Sequence, residues 1–289
     1  MHGIDAWRDA SSSRAKTLAA LRSALARIEG RHGDGNHAER SGLFALGAPD
    51  VDVFLGGGLE RACLHEVQAP CDADWPAAVG FGLALALRAA PGRPLLWARQ
   101  DFLESEAGRL SGLGLAEFGA DPAALSLVRG RDAEAVLRAA VDAARCKGLG
   151  AALIEISGAP RALDLTATLR LARSAEASGV TLFLLRIRVD GARQGRQTWP
   201  PSAAVSRWRA GAQNSRALLA NAPGAPCFFV TLLRRRGGAA DRSWRLEWQR
   251  DRGLFRETVE THNAPLSGSV PALPADGAMA ALPAWRRAG

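Results

Sequence analysis

The chain is short of the residues from which metal and disulfide frameworks are built. Its 289 residues include four cysteines and five histidines. Cys63, Cys71, Cys146 and Cys227 form no C-x-x-C pair, and His2, His32, His37, His65 and His262 show no ligand-like spacing. No metal site or cysteine framework is therefore expected, and the cysteines are expected to be buried small hydrophobes. Long apolar runs are missing too. The longest uncharged apolar stretch, Ala77–Leu87, stops at Arg88, well short of the roughly 20 residues that span a bilayer. Residues 1–30 show no charged start, apolar run and small-residue cleavage site in sequence. A cytoplasmic protein with no membrane contact is the expectation. Lysine is nearly absent, with Lys16 and Lys147 the only two.

What is present describes an ordinary globular chain with an uneven charge. Hydrophobic residues make up 47% and charged residues 23%, and the length allows a sizeable buried core. The net charge is +8. Between Arg186 and Arg256 there are 15 arginines against Asp190, Asp241, Glu247 and Asp251, a local +11, which leaves −3 for the remainder. Genomic bias accounts for arginine over lysine but not for this clustering. A basic final third points to an acidic partner, with nucleic acid the usual one.

Residues 14–28 place Leu18, Leu21, Leu25 and Ile28 at helical spacing. A polar, glycine-bearing stretch follows, so residues 1–40 read as an amphipathic arm and linker, with residues 41–257 as the core and 258–289 as a Pro/Ala/Gly-rich disordered tail. Within the core, strand-like runs at Cys63–Val67, Pro94–Ala98, Leu125–Val128, Ala151–Ile156 and Thr181–Leu185 alternate with helical patterns. The helices are expected over Asp74–Arg88, Phe102–Leu113, Asp132–Arg145 and Arg161–Ala177. That alternation predicts an α/β fold with a mostly parallel central sheet flanked by helices. Cys227–Leu233 and Trp244–Trp248 around Gly237-Gly238 predict a C-terminal β-hairpin extension, with Trp244, Leu246 and Trp248 on one face.

In parallel α/β domains ligands bind at the carboxyl ends of strands, so the loop after the first strand matters most. Here it reads Gln68-Ala69-Pro70-Cys71-Asp72-Ala73-Asp74-Trp75-Pro76. A phosphate-binding loop needs glycines, a lysine and a hydroxyl, and this loop has none of them. Asp72 and Asp74 would instead repel phosphate, each costing about 1–4 kcal/mol per unit charge.

The stretch Leu46-Gly47-Ala48-Pro49-Asp50-Val51-Asp52-Val53-Phe54-Leu55-Gly56-Gly57-Gly58-Leu59, with Cys63-Leu64-His65-Glu66-Val67, resembles the entry to a RecA-type core. Aligned on Glu66 and Pro70, the family's Gly-Lys-Thr positions fall on Asp74, Trp75 and Pro76. Gln100 stands at the position of the catalytic glutamate, and a neutral amide cannot act as a general base. Glu155, in Ala152–Ser157, is the one acid retained on the second nucleotide strand, and Arg186 falls near the nucleotide-sensing glutamine.

A RecA-like core with these losses and an N-terminal helical arm resembles the ImuA family over roughly residues 41–256. The resemblance implies a non-catalytic accessory factor in SOS-induced error-prone translesion DNA synthesis. It implies no cofactor, and it implies docking to an ImuB-like Y-family polymerase homologue. RecA and an error-prone C-family polymerase subunit are the further implied partners. The stripe Leu18, Leu21, Leu25 and Ile28 is the candidate docking surface. Arg186, Arg188, Arg193, Arg196, Trp199, Arg207, Trp208 and Arg209 occupy the region of a DNA-contacting loop, where Arg would meet phosphates and Trp would stack on bases of a single strand. Two alternatives stay open: a SulA-like regulator inhibiting a polymer-forming protein, and an ATPase with a displaced site built on Glu155.

Overall fold

The alternation of apolar runs and helical patterns appears in the structure, a computed structural model that describes residues 42–187, 200–216, 218, 222 and 224–258. These residues belong to one unit ending at Thr258. The expected arm with Leu18, Leu21, Leu25 and Ile28, the expected tail, and Arg188, Arg193, Arg196 and Trp199 lie outside the described residues.

The elements in chain order are β1 (Leu43–Phe44), α1 (Pro49–Phe54), β2 (Leu59–Glu60), β3 (Leu64–Gln68), α2 (Trp75–Ala89), β4 (Leu95–Gln100), α3 (Leu103–Ala107) and α4 (Gly112–Phe118). Then come β5 (Leu125–Gly130), α5 (Ala133–Arg145), β6 (Ala151–Ser157), α6 (Leu165–Ser178) and β7 (Thr181–Ile187). The last four are β8 (Ser206–Gln213), β9 (Cys227–Arg235), β10 (Arg242–Gln249) and β11 (Leu254–Glu257). Nine strands form one sheet in the order β11-β10-β9-β8-β3-β7-β6-β4-β5. From β8 to β5 every neighbouring pair is parallel, and from β8 outward to β11 every pair is antiparallel. The architecture is α/β with a mostly parallel centre and an antiparallel extension.

Helices cover the inner parallel strands on both faces, which is why those strands are buried on both sides and rich in apolar residues. On one face Val67, Trp97, Leu153, Phe183 and Leu185 pack against Phe81 and Leu85 of α2. On the other, Leu64, Ala98, Ile154 and Leu184 meet Val136, Leu137 and Ala140 of α5 and Leu171 and Ala175 of α6. Asp132 and Asp164 cap α5 and α6, each accepting a backbone N–H at 2.7 Å. The hairpin face is as expected: Trp244, Leu246 and Trp248 are buried. They join Phe81, Trp208 and Phe255 in an aromatic layer with ring centroids 5.1–5.7 Å apart across Phe81–Trp208, Phe81–Phe255 and Trp248–Phe255.

Three expectations need correction. The single helix over Phe102–Leu113 is two short helices, because the chain breaks at Gly108 with φ +78, a conformation a continuing helix cannot hold. Arg207, Trp208 and Arg209 are not in a loop but in β8. Of the cysteines, only Cys63 and Cys227 are buried; Cys71 and Cys146 are exposed in loops, and all four are free thiols.

The triple glycine of the entry motif has a backbone reason. Gly56, Gly57 and Gly58 have φ of +67, +113 and +129, and a Cβ on Gly58 would collide with the Phe44 carbonyl. Just before it, Asp52 accepts the N–H groups of Leu46 and Gly47 at 2.7 and 2.9 Å. The Leu46–Leu59 motif is thus a self-tied turn that feeds β2 alongside β1.

Candidate functional site

The loop expected to be a degenerate nucleotide position lies where β3 runs through Pro70–Asp74 into α2. Pro76 sits in the first turn of α2, where its fixed φ and missing N–H suit a helix start. Asp74 does not face solvent as a free anion. Its Oδ1 accepts the Ala212 N–H of β8 at 2.7 Å, and its Oδ2 accepts from the Cys71 thiol at 3.0 Å. That bond pushes the Cys71 thiol pKa up. The loop is therefore laced to β8, and Gly211 is what lets Asp74 approach, since a Cβ there would meet Asp74 Oδ1 at 3.0 Å.

Trp75 turns inward. Its indole, 8% exposed, packs with Leu103, Ile187 and Val79 and donates from Nε1 to Glu155 Oε1 at 2.9 Å. Trp97 of β4 donates to Glu155 Oε2 at the same distance, and Arg99 Nε lies 3.2 Å from Oε2. Trp97, Arg99 and Glu155 share one face because side chains two apart on a strand point the same way. Both charged side chains are almost fully buried, at 3% and 2% exposure. Burial raises the Glu155 pKa, while Arg99 and the two indole donors pull it down. Gln100 is committed as well, its Oε1 accepting the Ser157 N–H at 2.9 Å.

Beside this cluster a cleft of about 320 Å³ opens between α2 and the α3–α4 segment, walled by Trp75, Val79, Leu83, Trp97, Leu115 and Phe118. Arg99 and Glu155 reach it, but they neutralise each other, and both Glu155 oxygens already accept. These residues do not fit a magnesium nucleotide. The loop offers no lysine, no glycine nest for phosphate and no free hydroxyl, and Trp75 fills the space beside the α2 start. Among the described residues no group of three His, Cys, Asp or Glu side chains is placed to hold a metal ion.

A second buried network lies on the opposite sheet face, at the carboxyl end of β3. Glu66 is fully buried, with Arg186 Nε at 3.4 Å, Arg207 Nη2 at 3.2 Å and Gln68 Nε2 at 2.7 Å. The Ser202 hydroxyl donates to the same carboxylate. This overturns part of the expected DNA surface. Arg186 and Trp208 are both 0% exposed, Arg186 as counter-ion to Glu66 and Trp208 in the aromatic layer, so neither can reach a strand of DNA. Arg207 is spent mainly on Glu66 and the Pro200 carbonyl. Arg209 alone of the described candidates is exposed. Arg234 and Arg235 end β9 just before the Gly237-Gly238 turn; Arg234 is exposed, and the two side chains donate to the carbonyls of Ser202, Ala204 and Leu55.

Sequence reasoning missed Arg99 as the partner of Glu155, Arg186 as the partner of Glu66, and His65 as a buried hub. His65 accepts from Ser206 Oγ–H at Nδ1, 2.7 Å away, and donates from Nε2 to the Glu60 carbonyl at 2.8 Å. Ser206 Oγ in turn accepts from Trp208 Nε1 at 3.0 Å. Burial lowers the pKa of this ring to about 4. The available signal was polar residues, His65, Arg99 and Arg186, placed inside strand-like runs that the apolar pattern marks as buried.

No protein-family profile matches this sequence, and no curated protein matches it. Among the described residues no helix is long and apolar enough to cross a membrane. Solved structures that match include the crystal structure of the RadB recombinase, to which the chain is similar at 15% identity and a TM-score of 0.48, over 75% of this chain and 100% of that one.

Proposed function

We propose that this chain is a RecA-like, nucleotide-independent accessory protein of SOS-induced error-prone translesion synthesis, acting in the cytoplasm through protein contacts. The observation that carries the reading is the filled phosphate seat: Asp74 is bonded to Ala212, and Trp75 is bonded to a buried Glu155. A loop held this way would have to break both ties before a phosphate could enter, and it would then present carboxylates to it. The ImuA-like sequence pattern adds the class of process and the partners: an ImuB-like polymerase homologue, with RecA and a C-family polymerase subunit in the same assembly. Polymerisation belongs to the partner subunits in this reading, and the chain contributes scaffolding surface. DNA contact, where it occurs, involves Arg209 rather than Arg186 or Trp208.

The test is an affinity pull-down of the tagged full chain from DNA-damaged cells of its own source, read by mass spectrometry with and without added ATP. Recovery of an ImuB-like protein and a polymerase subunit in equal yield under both conditions is expected. Recovery of a division protein instead would favour the SulA-like alternative. Capture that requires ATP would overturn the nucleotide-independent reading.

A further inference from the structure

A surface that joins apolar and cationic side chains lies on the outer side of α5 and α6, away from the Asp74–Trp75 loop. Two adjoining hollows of about 550 and 560 Å³ run between these helices and share Arg145 and Arg170 as walls. They form one groove. Towards the helix N-termini its floor is apolar, made by Leu137, Val141, Ala162, Ala167 and Leu171. The second hollow, which reaches the helix C-termini, is walled by Arg145, Lys147, Arg170 and Arg173, with the hydroxyls of Thr166, Ser174 and Ser178 and no carboxylate. None of those four cations has an ion-pair partner among the described residues, whereas Arg138 at the other end is 3.8 Å from Glu134. Leu169 of α6, 40% exposed, lines the groove between the two ends.

Four unpaired cations held next to the exposed Leu169 and the apolar floor repel one another unless an anion comes between them, and the apolar side chains gain only if apolar partner groups cover them. We infer that the α5–α6 groove is a docking site for an acidic amphipathic helical segment of a partner protein. Its apolar residues would lie on the Leu137–Leu171 floor, and its carboxylates would meet Arg145, Lys147, Arg170 and Arg173. Helix-in-groove recognition of this kind joins apolar anchors to a charged rim. The chain's own stretch 14–28 does not suit the groove, since it carries Arg14, Lys16, Arg22 and Arg27 and no acid. A nucleic-acid strand suits it less well, because Glu134 and Asp142 line the apolar end and would oppose a uniform line of phosphates. The inference does not depend on which pathway the chain serves.

The probe is a fluorescent helical peptide of about 18 residues, long enough for five turns, with leucines on one face and glutamates on the other. A control peptide replaces every glutamate by lysine. Anisotropy titrations use the full chain and its Arg170→Glu/Arg173→Glu variant. Both positions are exposed, so the fold should hold, and a far-UV melt checks this. The glutamate peptide should bind the unmodified chain and lose about tenfold or more in affinity for the variant, which should then prefer the lysine peptide. Absence of binding to the unmodified chain, or equal affinity for both proteins, would overturn the inference. So would a dT oligonucleotide of about 20 residues that binds more tightly than the peptide and is released by the same substitutions, since the groove would then be a nucleic-acid site. Partner capture in cells tests the proposed function separately, and neither outcome there changes these titrations.

Discussion

Glu155 shows how a catalytic-looking acid becomes a structural one. Two indole N–H donors and a guanidinium converge on its two oxygens in a nearly dry environment. A buried pair of this kind adds little net stability over an apolar substitute, but removing one partner strands the other charge, at a cost of about 3–5 kcal/mol. Glu155→Gln leaves Arg99 unneutralised and offers one acceptor oxygen where two were used. It should lower unfolding free energy by about 3 kcal/mol in urea titration; a loss below about 1 kcal/mol would mean the cluster is not held as described. His65 gives a pH signature. Its folded pKa of about 4 lies below its ordinary 6.5, so on acidification the unfolded chain takes up the proton first. The contribution is intact above about pH 6.5 and is lost progressively down to about pH 4, a total on the order of 3 kcal/mol. Urea midpoints taken from neutral to acidic pH should fall more steeply for the unmodified chain than for His65→Gln. Parallel curves would remove His65 from the account.

At the scale of elements, β8 is the most instructive. Its burial alternates so that Trp208 and Ala210 face the aromatic layer while Arg209 faces out. Trp208→Ala should therefore cost about 3–5 kcal/mol of stability, with Arg209→Ala within about 0.5 kcal/mol of neutral. If Trp208→Ala folds normally and loses only DNA affinity, β8 has been misread. The central strands and α2, α5 and α6 were legible in the sequence because they are covered on both faces or show a clean helical stripe. β8 was not, since arginines flank its buried tryptophan and hide the period of two. The Phe102–Leu113 helix failed for a local reason, at Gly108. The entry turn was visible as a motif, but its cause is tertiary: Gly58 lies under the Phe44 carbonyl. Gly58→Ala combines that clash with a strained positive φ, and a loss of about 2 kcal/mol or more is expected in thermal or urea unfolding.

Over the whole molecule, the expectation of a degenerate site came from the residue types at Asp74, Trp75 and Gln100, which the sequence alone supplies. That Asp74 ties the loop to β8, that Trp75 reaches Glu155 and that Gln100 accepts from Ser157 could not be read there, because each partner comes from a distant segment of sequence. The basic final third behaves similarly. Sequence counts its arginines, but the fold spends Arg186 and Arg207 on the buried Glu66, which leaves less of a cationic surface there than the count implies. Meanwhile α5 and α6, in the near-neutral part of the chain, display Arg145, Lys147, Arg170 and Arg173 together around one hollow. The central claim is that the phosphate seat is occupied by the chain's own side chains, and calorimetric titration of magnesium-ATP into the full chain tests it most directly. No saturable heat is predicted up to about millimolar nucleotide. A saturable one-to-one isotherm in that range would contradict the account.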